Sequence, residues 1–321
     1  MSTSAQSHFP SPSKRKRPES AIEPLRSPNY WFNDGNIVIQ AQNTQFRVYK
    51  GILARHSKVF CDMFDLSQPD SEPLVEGCAL VHVSDAPQDW ENIFSILYDN
   101  DMTHNSTEVF ALPTLSSMLR LGRKYDFDKL YTAALERIKI EVPDTFGQWD
   151  TLFSPRKTSP IDGHEIELLN VLVEMELLSL LPVVYFICFK KLTLEDIFRG
   201  TTQEDGNVVR LSPDSIETLV LGREKISRMI ATENFAWVRH YQPGYNIHCS
   251  NPTKCDREVL NLLKALSEFS LGPGDAPQYL RQDLFCPHCY KDILDTDKAA
   301  RQKMWESLPI YFGLPAWNNL Q

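Results

Sequence analysis

The chain has 321 residues, 42% of them hydrophobic and 23% charged, and is long enough for two domains with packed cores. Its 42 acidic against 33 basic side chains leave a formal net charge of −9, which excludes wrapping duplex nucleic acid with the surface as a whole. The most apolar run, Leu177 to Phe189, falls short of the roughly 20 residues that cross a bilayer and is interrupted by Pro182, so it reads as core and no membrane partner is expected.

Residues 1–28 are dominated by Ser, Pro and charge and lack the apolar centre of a secretory signal, so they read as a disordered tail. Within them Lys14-Arg15-Lys16-Arg17-Pro18 has the form of a short nuclear localisation signal, with a merely solvated tail as the plainer alternative. The expected location is nucleus and/or cytoplasm. Seven cysteines without an export signal fit reduced thiols there, and the odd count argues against a disulfide framework.

From Trp31 the pattern becomes regular. Ile37-Val38-Ile39 forms a β-rich run, Phe46 and Val48 alternate along a second strand, and Gln42-Asn43-Thr44 connects them. Ile52, Leu53, Val59, Phe60, Met63 and Phe64 recur at helical intervals and should pack back on the strands. A strand over Ala79–Val83 follows, then a helix capped by Ser84 and Asp85 with Pro87 in its first turn. Trp90, Ile93, Phe94, Leu97 and Tyr98 give that helix one apolar face. Two further helices are expected, one from about Val109 to Arg123 and one through Leu130, Ala134 and Ile138 that ends before Pro143.

The spaced residues Phe46, Lys50, Leu53, Ser57, Phe60, Met63 and Phe64, together with Leu119-Arg120-Leu121-Gly122-Arg123-Lys124-Tyr125, resemble the BTB/POZ domain. The blocks WFNDGNIV, EGCALVHVSD and DW-x-x-I-x-x-x-LYD are most similar to BTB proteins of mushroom-forming fungi. The resemblance implies an α+β chain: a BTB/POZ fold over residues 29–141, with a small β-sheet capped by helical hairpins, and then a mainly α-helical C-terminal region. It also implies an interaction module that forms a homodimer or binds protein partners. In some members an Asp and a paired basic residue line a charged dimer pocket. Here Asn36 stands at the Asp position and Tyr49 at a His position, and only Lys50 keeps its charge, so Asn36 and Lys50 mark the corresponding interaction pocket.

Residues 142–163 are rich in Pro, Ser and Thr and read as a linker, and residues 164–321 as the helical region. In the stretch from His164 to Leu180 the polar Glu167, Asn170 and Glu174 form only a narrow stripe, so a mostly buried helix is expected. Pro182 should start the next helix, and Ser212-Pro213 should cap the one after it.

Four cysteines fall in the last quarter: Cys249-x5-Cys255 and Cys286-Pro-His-Cys289. A C-x2-C pair offers two thiolates from one tight turn, and a second pair completes a tetrahedral shell. A structural zinc site on Cys249, Cys255, Cys286 and Cys289 is the functional reading, with His248 or His288 able to substitute at a corner; reduced cysteines without metal are the bland one. Four Cys would close the shell, which argues against catalytic zinc, and no βαβ pattern supports a thioredoxin-type redox pair. Cys61, Cys78 and Cys188 sit in apolar patterns and read as small core residues.

No G-x-S-x-G elbow, H-E-x-x-H helix, kinase block or paired dinucleotide glycines occur, so no enzyme is expected. The leading reading is a BTB-based scaffold that self-associates or binds protein partners, with a nuclear regulatory role. One alternative is a substrate adaptor that binds a cullin through the BTB domain. Another is a zinc-dependent nucleic-acid-binding regulator, which the net charge disfavours.

Overall fold

Five strands make one mixed sheet in the order β1-β3-β2-β5-β4: β1 is Leu25–Trp31, β2 Ile37–Ala41, β3 Thr44–Val48, β4 Leu74–Val75 and β5 Cys78–Val83. The computed structural model describes residues 23–66, 74–99, 111–150, 161–203, 206–234, 246–268 and 282–320. β2 and β3 pair antiparallel around Gln42-Asn43, where Gln42 takes a left-handed φ of 49° that closes the tight hairpin. β2 also pairs parallel with β5, and its Ile37, Val38 and Ile39 are all buried. The N-terminal expectation needs correcting. β1 begins inside the segment read as a disordered tail and pairs parallel with β3. Its period-two signal is hidden by Ser27, Pro28 and Asn29, and Ser27 is a buried residue whose hydroxyl accepts the amides of Asn29 and Tyr30.

The helical run after β3 is two helices, α1 (Lys50–His56) and α2 (Lys58–Asp65), broken at Ser57. Ser57 is extended, caps α2 by accepting the Phe60 amide, and donates its hydroxyl to the Tyr125 carbonyl. One buried serine therefore turns the chain and ties it to a distant helix. α3 (Pro87–Tyr98) starts after Ala86 without a side-chain cap. Ser84 and Asp85, the expected caps, are taken by other partners. Lys124 donates to Ser84 at 2.8 Å and to Asp85 at 2.6 Å, and the Tyr125 hydroxyl donates to Asp85 at 2.6 Å.

α4 (Leu112–Tyr125) and α5 (Asp128–Glu141) complete this half. Phe46 meets Phe94 edge-on at 5.2 Å, Phe60 meets Trp90 edge-on at 5.8 Å, and Phe60 stacks on Tyr125 at 5.2 Å. Each such pair adds about 0.5–1.5 kcal/mol beyond the area it buries. Sheet, α2, α3 and α4 thus share one aromatic core.

The segment read as a linker, 142–163, is not free of structure. It contains α6 (Phe146–Asp150), and Trp149 is fully buried between Phe186 at 5.3 Å and Trp305 at 5.6 Å. Its composition hid one aromatic anchor. Beyond it lie α7 (Glu165–Glu174), α8 (Leu181–Lys191) and α9 (Leu194–Arg199), the hairpin β6 (Thr201–Thr202) with β7 (Val208–Val209), and α10 (Pro213–Met229) followed by the π-helical turn Ile230–Asn234. α11 (Pro252–Glu268) and α12 (Pro287–Tyr311) end the region, with a 3-10 turn at Trp317–Asn319. α7 is buried on most sides, Pro182 sits in the first turn of α8, and Ser212 caps α10 by accepting the Ser215 amide, as their sequences require. α9 carries a capping box between Thr193 and Asp196. α12 packs on α10 because Gly222 makes room: a Cβ there would fall 2.3 Å from the Phe312 ring.

The buried residues of both halves form one continuous cluster. Among the described residues no helix is long and apolar enough to cross a membrane.

Two consequences are measurable. Trp149→Ala should cost about 3–5 kcal/mol, the range for truncating a buried aromatic, in urea unfolding of the full chain. A loss under about 1 kcal/mol would return residue 149 to a solvated linker. Burial pushes the Tyr98 phenol up to about 12 from its usual 10.0. A folded value above the unfolded one makes this group's stabilisation complete below about pH 10 and lost as pH rises towards 12. The urea midpoint should fall over that window, and less steeply in Tyr98→Phe. An identical slope in the variant would show that Tyr98 ionises freely in the fold.

Candidate metal centre and interaction surface

Three separate segments bring the four C-terminal cysteines together. Cys249 ends a turn in which its amide donates to the Asn246 carbonyl at 2.9 Å and the His248 amide donates to the Asn246 side chain at 2.8 Å. Asn246 in turn donates to Asp292 of α12 at 2.5 Å, fixing the turn against that helix. Cys255 lies in the first turn of α11, where Asn251 accepts the Lys254 amide at 3.2 Å. Cys286 is the N-cap of α12, with Pro287 at its first position, and Cys289 follows within the first turn.

The four sulfurs all lie within 4.8 Å of one another, with Cys249 half-exposed and the other three buried. Cys286 Sγ is 3.8 Å from Cys249 Sγ. A disulfide would need about 2.05 Å. Four thiolates at about 2.3 Å around one tetrahedral ion sit about 3.8 Å apart along each edge. Amide donors are aimed at the sulfurs: Cys286 N–H reaches Cys255 Sγ at 3.3 Å and Cys289 N–H reaches Cys286 Sγ at 3.5 Å. Burial opposes ionisation of Cys286, but donors from Cys289 and Ser250 outweigh it and lower its thiol to about 5. Burial pushes Cys255 and Cys289 up instead. The cluster can therefore coordinate a metal ion. His248 and His288, the alternative corner ligands, face each other with ring centres 6.1 Å apart and are not in the set of four.

Of the other cysteines, Cys61 on α2 is only half-buried, not the core residue its pattern implied, while the remaining two behave as core. Cys78 and Cys188 are buried, and burial pushes the Cys188 thiol well up. Asn36 and Lys50 meet, but as backbone support: the exposed Asn36 side chain accepts the Lys50 amide at 2.8 Å and so caps α1, whose own N-cap Tyr49 supplies no side-chain bond. The Lys50 ammonium sits over the Phe64 ring at 5.5 Å. The pair builds the start of α1. The basic run Lys14, Arg15, Lys16 and Arg17 lies outside the described residues.

Sequence reasoning missed a surface on α2. Val59, Met63 and Leu66 lie at i, i+4 and i+7; Val59 is 40% and Leu66 68% exposed, and Met63 is half-buried. Phe60 faces the core from the neighbouring stripe. The signal was available, because five apolar residues between 59 and 66 are more than one face of an eight-residue helix can bury. Beside the apolar stripe runs a charged one, Lys58, Asp62 and Asp65, all exposed.

A family model for the BTB/POZ domain matches residues 31–139. No curated protein matches the chain. The matched segment covers β2 to β5, α1 to α4 and most of α5, the part built around the aromatic core. Residues 31–139 are thus a BTB/POZ domain, a non-catalytic protein-interaction module, followed by a mainly α-helical region whose four-cysteine cluster can coordinate a metal ion.

Proposed function

We propose that this protein is a scaffold that self-associates through the exposed face of α2 in its BTB/POZ domain, with its helical region braced by zinc. The observation that carries the reading is the pairing of an apolar and a charged stripe on α2. Lys58 opens the helix and Asp65 closes it, the reverse of what the helix dipole favours. The same placement suits a second copy. In an antiparallel pairing about a two-fold axis, Lys58 of each protomer lies against Asp65 of the other while Val59, Met63 and Leu66 bury one another. Apolar burial supplies the affinity, and the charges set register and orientation. Zinc is the proposed ion because a closed shell of four thiolates suits it and leaves no open position for substrate.

The chain should be a dimer by light scattering at micromolar concentration. Val59→Asp with Leu66→Asp should yield folded monomer with an unchanged circular dichroism spectrum. Lys58→Asp and Asp65→Lys should each weaken the dimer, and the double reversal should restore it. Each exposed ion pair is worth about 0.2–1 kcal/mol and occurs twice, so single reversals should raise Kd by about 2- to 30-fold. A dimer indifferent to all four changes would place self-association elsewhere.

A further inference from the structure

The two ends of α12 are held in different ways. Its C-terminal half is packed by large side chains: Met304 and Leu308 are buried, Trp305 stacks on Trp317 at 4.2 Å, and Phe312 stacks on Tyr185 of α8 at 5.0 Å. Arg301 marks where this packing begins. It donates to Asp150 of α6 at 2.6 Å and pairs with the buried Asp297 one turn back.

The N-terminal half has little of this. Among the described side chains of α11, only Cys255 and Val259 are buried. Across the first turns of α12 and the residue before Cys286, the buried apolar side chains are Phe285, Cys286, Cys289 and Ile293. Half of these buried side chains are therefore cysteine; Val259, Phe285 and Ile293, with Leu262, Leu284, Tyr290 and Leu294 packed beside them only partly buried, are a small core for ordering two helical segments and a turn. A bound ion would add what this small core lacks. The cysteines converge from all three segments: Cys255 lies in the first turn of α11, and the amides of Cys286 and Cys289 at the start of α12 donate to the sulfurs. The positive N-terminus of α12 and its N–H donors favour an assembly of net negative charge, which four thiolates around one divalent ion provide.

Resting on the zinc reading above, we infer that the ion held by Cys249, Cys255, Cys286 and Cys289 is the folding nucleus of residues 246–268 and 282–297. With zinc, α11 and the first turns of α12 are ordered against the helical region. Without it they unravel back to Arg301, while the Trp305–Phe312 half of α12 and the BTB/POZ domain stay folded. The metal thus gates an order–disorder transition of one surface of the protein and leaves the α2 face untouched.

The test uses the full chain purified under reducing conditions. Mass-spectrometric metal analysis should give one zinc per chain. Amide hydrogen exchange is then followed before zinc removal by a strong chelator, after it, and after zinc is restored. Amides in 252–262 and 287–297 should lose at least about tenfold in protection and regain it with zinc, while those in 304–308 and 112–125 should hold. Cys289→Ser should show the metal-free pattern, and Cys289→His, which keeps a ligand, should retain zinc and protection. Zinc that leaves without changing exchange in 252–262 and 287–297 would overturn this inference and spare the metal reading. Iron, or no metal at all, would overturn both.

Discussion

Helix α4 must be buried on almost every side, and the rest of the structure is arranged around that requirement. Leu112, Leu115, Met118, Leu119, Leu121 and Tyr125 leave no polar face of ordinary width, so partners are needed all round. Small residues let them come close. Ser117 donates to Asp89 of α3 at 2.7 Å and accepts from Asn92 at 2.9 Å, and a Cβ on Gly122 would fall 2.9 Å from the Tyr131 side chain of α5. On its remaining side Arg120 grips both oxygens of Glu174 at 3.1 and 2.9 Å, and Arg123 donates to the Met175 carbonyl at 2.7 Å. The BTB/POZ domain and the helical region share this one wall.

That sharing decides which surfaces remain for partners. The helical region takes up one side of α4, and α3 and α5 take up two more. The α1–α2 end is held to the aromatic core by Ser57 and Phe60, and Val59 and Leu66 on its outer stripe are left exposed. A face that is apolar, mounted on a rigid core and flanked by both signs of charge is suited to specific association. The sheet also carries an internal brace: Glu76 binds Arg26 at 2.5 Å and Arg47 at 3.0 Å, so β1 is tied to β3 by charge as well as by the ladder. An interaction module gains from such stiffness, because less freedom is lost on binding.

Much of this was legible in the residues. The hairpin, the helix through Trp90 and Phe94, the Ser212-Pro213 cap and the convergence of two cysteine pairs follow from local patterns. What was not legible depended on distant partners. Ser57 breaks a helical pattern because its hydroxyl finds Tyr125, and Ser84 and Asp85 abandon a cap for Lys124 and Tyr125. Trp149 sat in a stretch whose Ser, Thr and Pro outvoted its three aromatics, and its partners Phe186 and Trp305 lie far along the chain. Asn36, read by position as a pocket residue, also caps α1 through the Lys50 amide. Local propensity fails at these places because a tertiary contact offers each group a better partner.

The central claim is that a rigid BTB/POZ core presents α2 to a second copy. Amide hydrogen exchange measured across a dilution series tests it most directly. The account predicts that protection over residues 58–66 rises as protein concentration passes through the dimer dissociation constant, while protection over 112–125 stays constant. Concentration-dependent protection confined to other residues, or none anywhere in the chain, would contradict it.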